Sequence, residues 1–174
     1  MKIKTYSYDE LVKRQHKLCP TIIRIRKTNE SLFGLYHFFD TLHITIDDID
    51  TERYFNLDSG VEADYISHFY DALICDKDHN NDWNMMQPFE LYHAEIIDQF
   101  VRKNMHRRDE LIIQDQFGGN ISRTIAIVIE KHIVKNHSQF MNKMEKIKGL
   151  NKGIVKTFEF YLNIPESESI LNFV

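Results

Sequence analysis

The stretch DQFGGNISRTIA, residues Asp115 to Ala126, is the part of the sequence on which the fold prediction depends. It lies within a run from about Gln99 to Met144 whose remaining residues have the pattern of a long helix. Two adjacent glycines are unfavourable in a helix, because each costs about 1 kcal/mol relative to alanine. Their presence therefore needs a specific reason.

Two interpretations of the glycine pair are open. If a helix continues through it, Asp115, Gly118, Gly119 and Ser122 share one nearly flat face, since they are spaced i, i+3, i+4 and i+7. A large planar ligand could lie on such a face, with the carboxylate reaching over it. Alternatively, Gly118, Gly119 and Asn120 form a turn between two helices, because these residue types are strong turn formers.

Composition indicates one folded domain that covers residues 1–174. The chain has 174 residues, is 43% hydrophobic and contains only 6 glycines and 3 prolines, which is enough for one substantial core. The net charge of −4 argues against general nucleic-acid binding. Cys19 and Cys75 have neither metal-ligand spacing nor the pattern of a disulfide framework. We find no signal peptide and no apolar run of about 20 residues, so a cytoplasmic protein with no membrane association is expected.

The apolar pattern along the chain favours helices throughout. A capping box, Ser7 with Glu10, predicts a helix over Tyr8 to Lys17. A short strand at Ile22 to Ile25 is possible but less favoured than a helix. Further predicted helices are a buried central one over Leu32 to Ile46, one over Glu62 to Ile74, one from Phe89 to about Arg102 and a last one over Gly153 to Asn163. The predicted fold is therefore an all-α bundle of about six or seven helices.

Several residues could bind a metal or an anionic ligand. Glu90 and His93 have the Glu-x-x-His spacing of di-iron helical bundles, although the chain has no second copy of this motif. His16 lies on the first predicted helix and is a candidate axial ligand to a heme iron, with a surface histidine as the alternative. Lys143 and Lys146 belong to a basic run that could pair with the carboxylates of a ligand, or simply be solvated.

Three segments together resemble the heme oxygenase family. The Asp115 to Ala126 stretch is similar to the distal helix of that family, in which an Asp precedes a Gly-Gly pair, an amide residue, an aliphatic residue and a basic residue. The segment Leu35 to Phe39, which reads LYHFF, is similar to an early Leu-Tyr-His element. Phe158 to Ile164 looks like the last helix of the family.

The resemblance implies a heme oxygenase-like helical fold and an oxidoreductase that opens heme to biliverdin, iron and CO with oxygen and a reductase or other electron donor. It implies that heme, as substrate and cofactor, lies between His16 as iron ligand and the backbone of Gly118 and Gly119. Asp115 would hold the water that delivers protons to bound oxygen. Lys143 and Lys146 would contact the heme propionates. Two alternatives remain: a non-heme iron enzyme that uses Glu90 and His93, and a non-catalytic helical interaction module.

Overall fold

Four short strands form one parallel sheet in the computed structural model. The strands are adjacent in the order β1-β4-β2-β3. They are β1, Lys2–Ser7; β2, Thr21–Arg26; β3, Asp40–Thr45; and β4, Glu110–Asp115. The structure describes residues 1–14, 20–26, 38–46, 89–107, 110–116, 119–147 and 149–174.

The two central strands are buried on both faces. Ile22 and Ile23 of β2 and Ile112 and Ile113 of β4 are all 0% exposed. Successive side chains of a strand point to opposite faces, so burial of consecutive isoleucines requires a covering layer on each side. Such strands are continuous apolar runs rich in β-branched residues, and this pattern is typical of parallel sheets.

Helices cover the two faces of the sheet unequally. On the α1 face, Tyr6, Ile22 and Ile112 pack with Leu11. On the opposite face the other helices enclose a much larger core that includes Ile113. The helices of the described residues are α1, Tyr8–Lys13; α2, Leu91–Asn104; α3, Asn120–Val128; α4, His137–Met144; and α5, Lys152–Tyr161.

A π-helical turn and two short 3-10 turns complete the described chain. The π-turn, Ile129–Ile133, follows directly on α3. The 3-10 turns, Glu166–Glu168 and Ile170–Phe173, follow α5.

The predicted all-α bundle of six or seven helices is wrong. The chain is an α/β protein with a four-stranded parallel sheet, so its fold is not heme oxygenase-like and the inferred family resemblance does not hold. The physical reason is the ambiguity of short buried apolar runs. When both faces of a strand are covered, polar and apolar residues do not alternate along it. Its periodicity then does not distinguish it from a segment of buried helix.

Two segments show this ambiguity directly. The run from Gln99 to Met144 was predicted to be helical, but β4 interrupts it at Glu110–Asp115. The C-terminal part of the predicted central helix over Leu32 to Ile46 is strand β3. The less favoured strand at Ile22 to Ile25 is the correct interpretation. The predicted helix over Glu62 to Ile74 and the early Leu-Tyr-His element lie outside the described residues.

Predictions based on specific capping residues were more successful. Ser7 and Glu10 form the expected capping box, since the Ser7 side chain accepts from the Glu10 amide and Glu10 accepts from the Ser7 amide. The predicted last helix is present as α5, although it begins and ends slightly earlier than expected. Gly149 lies between α4 and α5 and has a φ of 84°, a backbone conformation that favours glycine.

Removing the cap of α5 is expected to destabilise the protein modestly. The Asn151 side chain accepts a hydrogen bond from the Ile154 amide at 3.1 Å. Asn151→Ala should therefore lower the free energy of unfolding by about 1 kcal/mol, measured by urea denaturation. Asn142→Ala is the matched control, because Asn142 is exposed on α4. Equal effects of the two substitutions would contradict a capping role.

Candidate functional site

Asp115 and Gly119 lie at a turn between strand and helix. Asp115 is the last residue of β4, and Gly119 is the N-cap of α3. The Gly119 amide lies 2.9 Å from each Asp115 carboxylate oxygen, and the Ser122 amide lies 3.4 Å from Oδ2. A helix therefore does not pass through the glycine motif. Gly119, the described member of the glycine pair, is a helix N-cap, and the segment before it is a strand rather than the helix that the sequence pattern predicts.

The Asp115 carboxylate has a clear structural role in this turn. It accepts from amides at the positively polarised end of α3, which is a favourable place for a negative charge. A Cβ added at Gly119 would lie 3.7 Å from Asp115 Oδ2, an ordinary contact. The local geometry is thus explained by helix capping. A catalytic role for Asp115 stays a prediction from the sequence.

Of the other residues predicted to bind heme, Gly119 contacts Asp115, whereas Lys143 lies at the opposite end of the sheet. Lys143 donates to the Ile3 carbonyl at 3.0 Å. Ile3 lies near the amino end of β1, whereas Asp115 lies at the carboxyl end of the adjacent β4. Lys146 is exposed beyond the end of α4. His16 and Gly118 lie outside the described residues.

Heme cleavage therefore stays a prediction from the sequence. Since the predicted helical sandwich is not the fold of this chain, the described residues give no support for a heme position between His16 and the glycine pair. Adding hemin and recording the absorption spectrum would test it. A Soret band that is lost in His16→Ala would support heme ligation.

The Glu90-x-x-His93 motif has a structural role at the start of α2. His93 is 1% exposed, and its Nδ1 accepts from the Glu90 amide at 3.0 Å. Burial lowers the pKa of His93, and its ring stacks on Phe89 with centroids 5.6 Å apart. In the described ranges, no group of three or more His, Cys, Asp or Glu side chains could hold a metal ion.

A polar row that sequence reasoning missed crosses the α1 face near the carboxyl ends of the strands. Strand register places Tyr6 of β1 beside Gln114 of β4, Gln114 beside Arg24 of β2, and Arg24 beside His43 of β3. Arg24 is 5% exposed, and its Nε donates to Gln114 Oε1 at 3.1 Å. A guanidinium is therefore buried within the central part of the sheet.

The electrostatics of this row favour an anion. Burial lowers the pKa of Arg24, with an opposing contribution from Tyr8. Burial, Arg24 and Arg26 all lower the pKa of His43. At both positions burial disfavours the positive charge, and at His43 the charges of the two arginines do so as well. A negatively charged ligand nearby would offset that cost.

Further arginines surround the same end of the sheet. Arg26 Nε donates to Thr45 Oγ1 at 2.9 Å. Arg14, just after α1, lies over the Tyr6 ring at 4.3 Å from its centroid. Arg14 and Arg123 both lie close enough to Glu10 to affect its carboxyl pKa. The hydrogen bond from the Ser7 amide is the largest cause of the lowered pKa of Glu10, and the charges of the two arginines lower it further. We call Arg14, Arg24, Arg26 and Arg123 the edge arginines.

The connections that follow β1 and β4 also indicate a ligand-binding position at the carboxyl end of the sheet. Strand β1 continues into α1 on one face, whereas the adjacent β4 leads into α3 on the opposite face. The Tyr8 amide donates to the Gln116 carbonyl at 3.3 Å where the two strands diverge. In open parallel sheets, ligands bind beside the carboxyl ends of such a strand pair. The edge arginines therefore lie along the same end of the sheet as the position where the fold favours a ligand.

Comparisons of the chain with known protein families, curated proteins and solved structures find no significant match. Of the helices that the structure describes, none has the length and apolar character needed to cross a lipid bilayer.

Proposed function

We propose that this chain binds a small ligand carrying a phosphate group, at the carboxyl edge of the sheet and on its α1 face. The observation that carries the proposal is the burial of Arg24 in strand β2, beside Gln114 and at the ligand-binding end of a parallel sheet. Burying a guanidinium is costly, and a phosphate that shares the site would offset the cost. Arginine is also the residue best suited to phosphate, because its planar donors bind two oxygens at once.

The residues have separate roles in this proposal. Arg24 is too buried to leave the sheet surface and supplies a fixed positive field. Arg26 is half-buried, whereas His43 and Arg123 are exposed, so these three can reach a ligand in solvent. The ligand is placed beside the arginines rather than on the amides at the start of α3, because the Asp115 carboxylate already accepts from the Gly119 amide there.

Isothermal titration with inorganic phosphate and pyrophosphate tests the proposal. Both probes should bind the wild-type chain, and Arg26→Gln should weaken binding on the order of tenfold, since a charge-assisted hydrogen bond contributes about 1.5–3 kcal/mol. Lys156→Gln is the matched control, because Lys156 is an exposed cation on α5. Arg26→Gln leaves the buried Arg24 in place and should not unfold the chain.

Two results would refute a phosphate site at this edge. One is the absence of binding of either probe to the folded wild-type chain. The other is equal weakening by Arg26→Gln and Lys156→Gln, which would indicate attraction by overall charge rather than by a site.

A further inference from the structure

The C-terminal segment, residues 165–174, is held against the rest of the chain by one buried carboxylate. We call this segment the tail. Glu159 of α5 is 6% exposed. It accepts from Ser169 Oγ at 2.6 Å and from the Ile170 amide at 2.7 Å, and its Oε1 lies 2.9 Å from His132 Nε2. The carboxylate therefore joins the tail to both α5 and the π-turn.

Hydrogen bonding has a larger effect on the pKa of the Glu159 carboxyl group than burial has. Burial alone would raise the pKa of Glu159, but the hydrogen bonds from His132, Ser169 and Ile170 hold it below its ordinary value. The tail therefore supplies two of the three hydrogen bonds that lower the pKa of Glu159, and His132 supplies the other. A neutral side chain at this position would lose the charge-assisted part of these hydrogen bonds.

Apolar and backbone contacts complete the binding of the tail. Ile170 is 0% exposed. The Phe173 ring packs edge-to-face against the Phe140 ring of α4, with ring centroids 5.4 Å apart. Lys131 of the π-turn donates to the Glu168 carbonyl and lies 4.4 Å from the centroid of the Phe173 ring. One buried aliphatic side chain, one aromatic side chain and a few backbone contacts are the means by which grooves recognise short peptides.

The tail has few other contacts that would keep it in place. Most of its residues are exposed, and Ile170 is the only one of them that is buried. It is joined to α5 through Asn163, which has a φ of 54°, and through Ile164 and Pro165. Ordering ten such residues costs conformational entropy, so the net free energy that keeps the tail docked is small. Segments of this kind open before the core does.

We propose that the tail is a self-docked peptide, and that the groove between the π-turn, α4 and α5 is a peptide-binding site for a segment of the pattern Ser-Ile-x-x-Phe. The tail leaves this groove as a unit while the sheet and helices stay folded. The groove then accepts the same segment from a second copy of the chain, because an exchanged tail reproduces every contact of the original one.

Hydrogen exchange on the full-length wild-type chain tests the release of the tail. The opening that lets the amides of residues 169–174 exchange should cost much less free energy than the opening that lets the amides of β2 and β4 exchange. Glu159→Gln should speed their exchange further, while the amides of β2 and β4 remain the slowest to exchange. Exchange of the tail only by global unfolding, at the same free energy as the sheet, would overturn the proposal.

A binding assay tests the groove itself. A fluorescent peptide with the sequence of residues 165–174 is titrated into full-length Ile170→Ala, in which the chain's own tail is weakened. It should bind this variant on the order of tenfold more tightly than the wild-type chain, because more of the variant has a vacant groove. The same peptide with Asp in place of Ile170 should not bind. Equal binding of both peptides, or no binding to the folded variant, would show that the groove does not recognise the segment.

Discussion

Phe158→Ala is expected to lower the free energy of unfolding by about 4 kcal/mol. Phe158 lies on α5, is 0% exposed and stacks on Phe89 with ring centroids 5.7 Å apart. Its truncation removes the transfer free energy of a buried aromatic ring and leaves a cavity that the surrounding helices cannot fill completely. Urea denaturation followed by far-ultraviolet circular dichroism measures the loss.

The same helix provides a close control for this substitution. Phe160 lies two residues further along α5 and is 73% exposed. Phe160→Ala removes the same atoms from nearly the same position in the helix, but it should change the free energy of unfolding by no more than about 0.5 kcal/mol. If both substitutions cost a similar amount, α5 does not bury Phe158 and expose Phe160.

Lys143→Met is expected to destabilise the chain by about 3 kcal/mol at neutral pH. Lys143 pairs with Glu130, which is 0% exposed and lies in the π-turn. In the described part of the chain, Glu130 Oε2 has no hydrogen-bond partner. Removing Lys143 would leave a buried carboxylate without its counter-charge, and this is more costly than the pair itself.

The loss caused by Lys143→Met should depend on pH in a defined direction. Burial already raises the pKa of Glu130 above its ordinary value of 4.5, with Lys143 opposing the shift. A raised carboxyl pKa means that the folded state binds more protons than the unfolded state, so stability falls as pH rises through the folded pKa. The variant should therefore regain stability as the pH is lowered towards 4.5, as measured by denaturation at several pH values.

A double variant distinguishes the stability contributed by the Glu130–Lys143 ion pair from the cost of leaving Glu130 unpaired. Glu130→Leu combined with Lys143→Met replaces two charges by apolar side chains of similar size. It should be within about 1 kcal/mol of the wild-type chain, because buried ion pairs are often no more stabilising than apolar replacements. A double variant as unstable as Lys143→Met would contradict the assignment of that loss to an unpaired Glu130.

The sequence predicted those parts of the fold whose signals are local. The reciprocal hydrogen bonds of Ser7 and Glu10 depend only on residues three positions apart, so the capping pattern was sufficient. The sheet is different, because Ile23 and Ile113 become neighbours only through tertiary packing. The strand around Ile113 reads ELIIQD and has no alternation of polar and apolar residues, so its periodicity does not distinguish a buried strand from a buried helix. The long helical run predicted around the glycine pair therefore contains strand β4 before the pair and helix α3 after it.

The candidate site was missed for a related reason. Arg24 and Arg26 are two residues apart, which places both on one face of a strand but on different faces of a helix. The segment Thr21–Arg26 reads TIIRIR, and the alternation of arginine and isoleucine was the available signal. When that segment is interpreted as a helix, the two arginines are not on the same face. The sequence pattern favours a site at Asp115 instead, although the contacts of Asp115 are those of a helix cap.

The strand order also determines when the protein can fold during synthesis. Strand β4 lies between β1 and β2, and 90 residues separate Arg24 from its hydrogen-bond partner Gln114. Until β4 leaves the ribosome, β1 has no neighbour in this sheet, while β2 can pair only with β3. The sheet therefore cannot be completed before β4 is made, and one edge of the isoleucine-rich strand β2 stays unpaired until then. Sheet formation that depends on such distant residues is slow and vulnerable to aggregation.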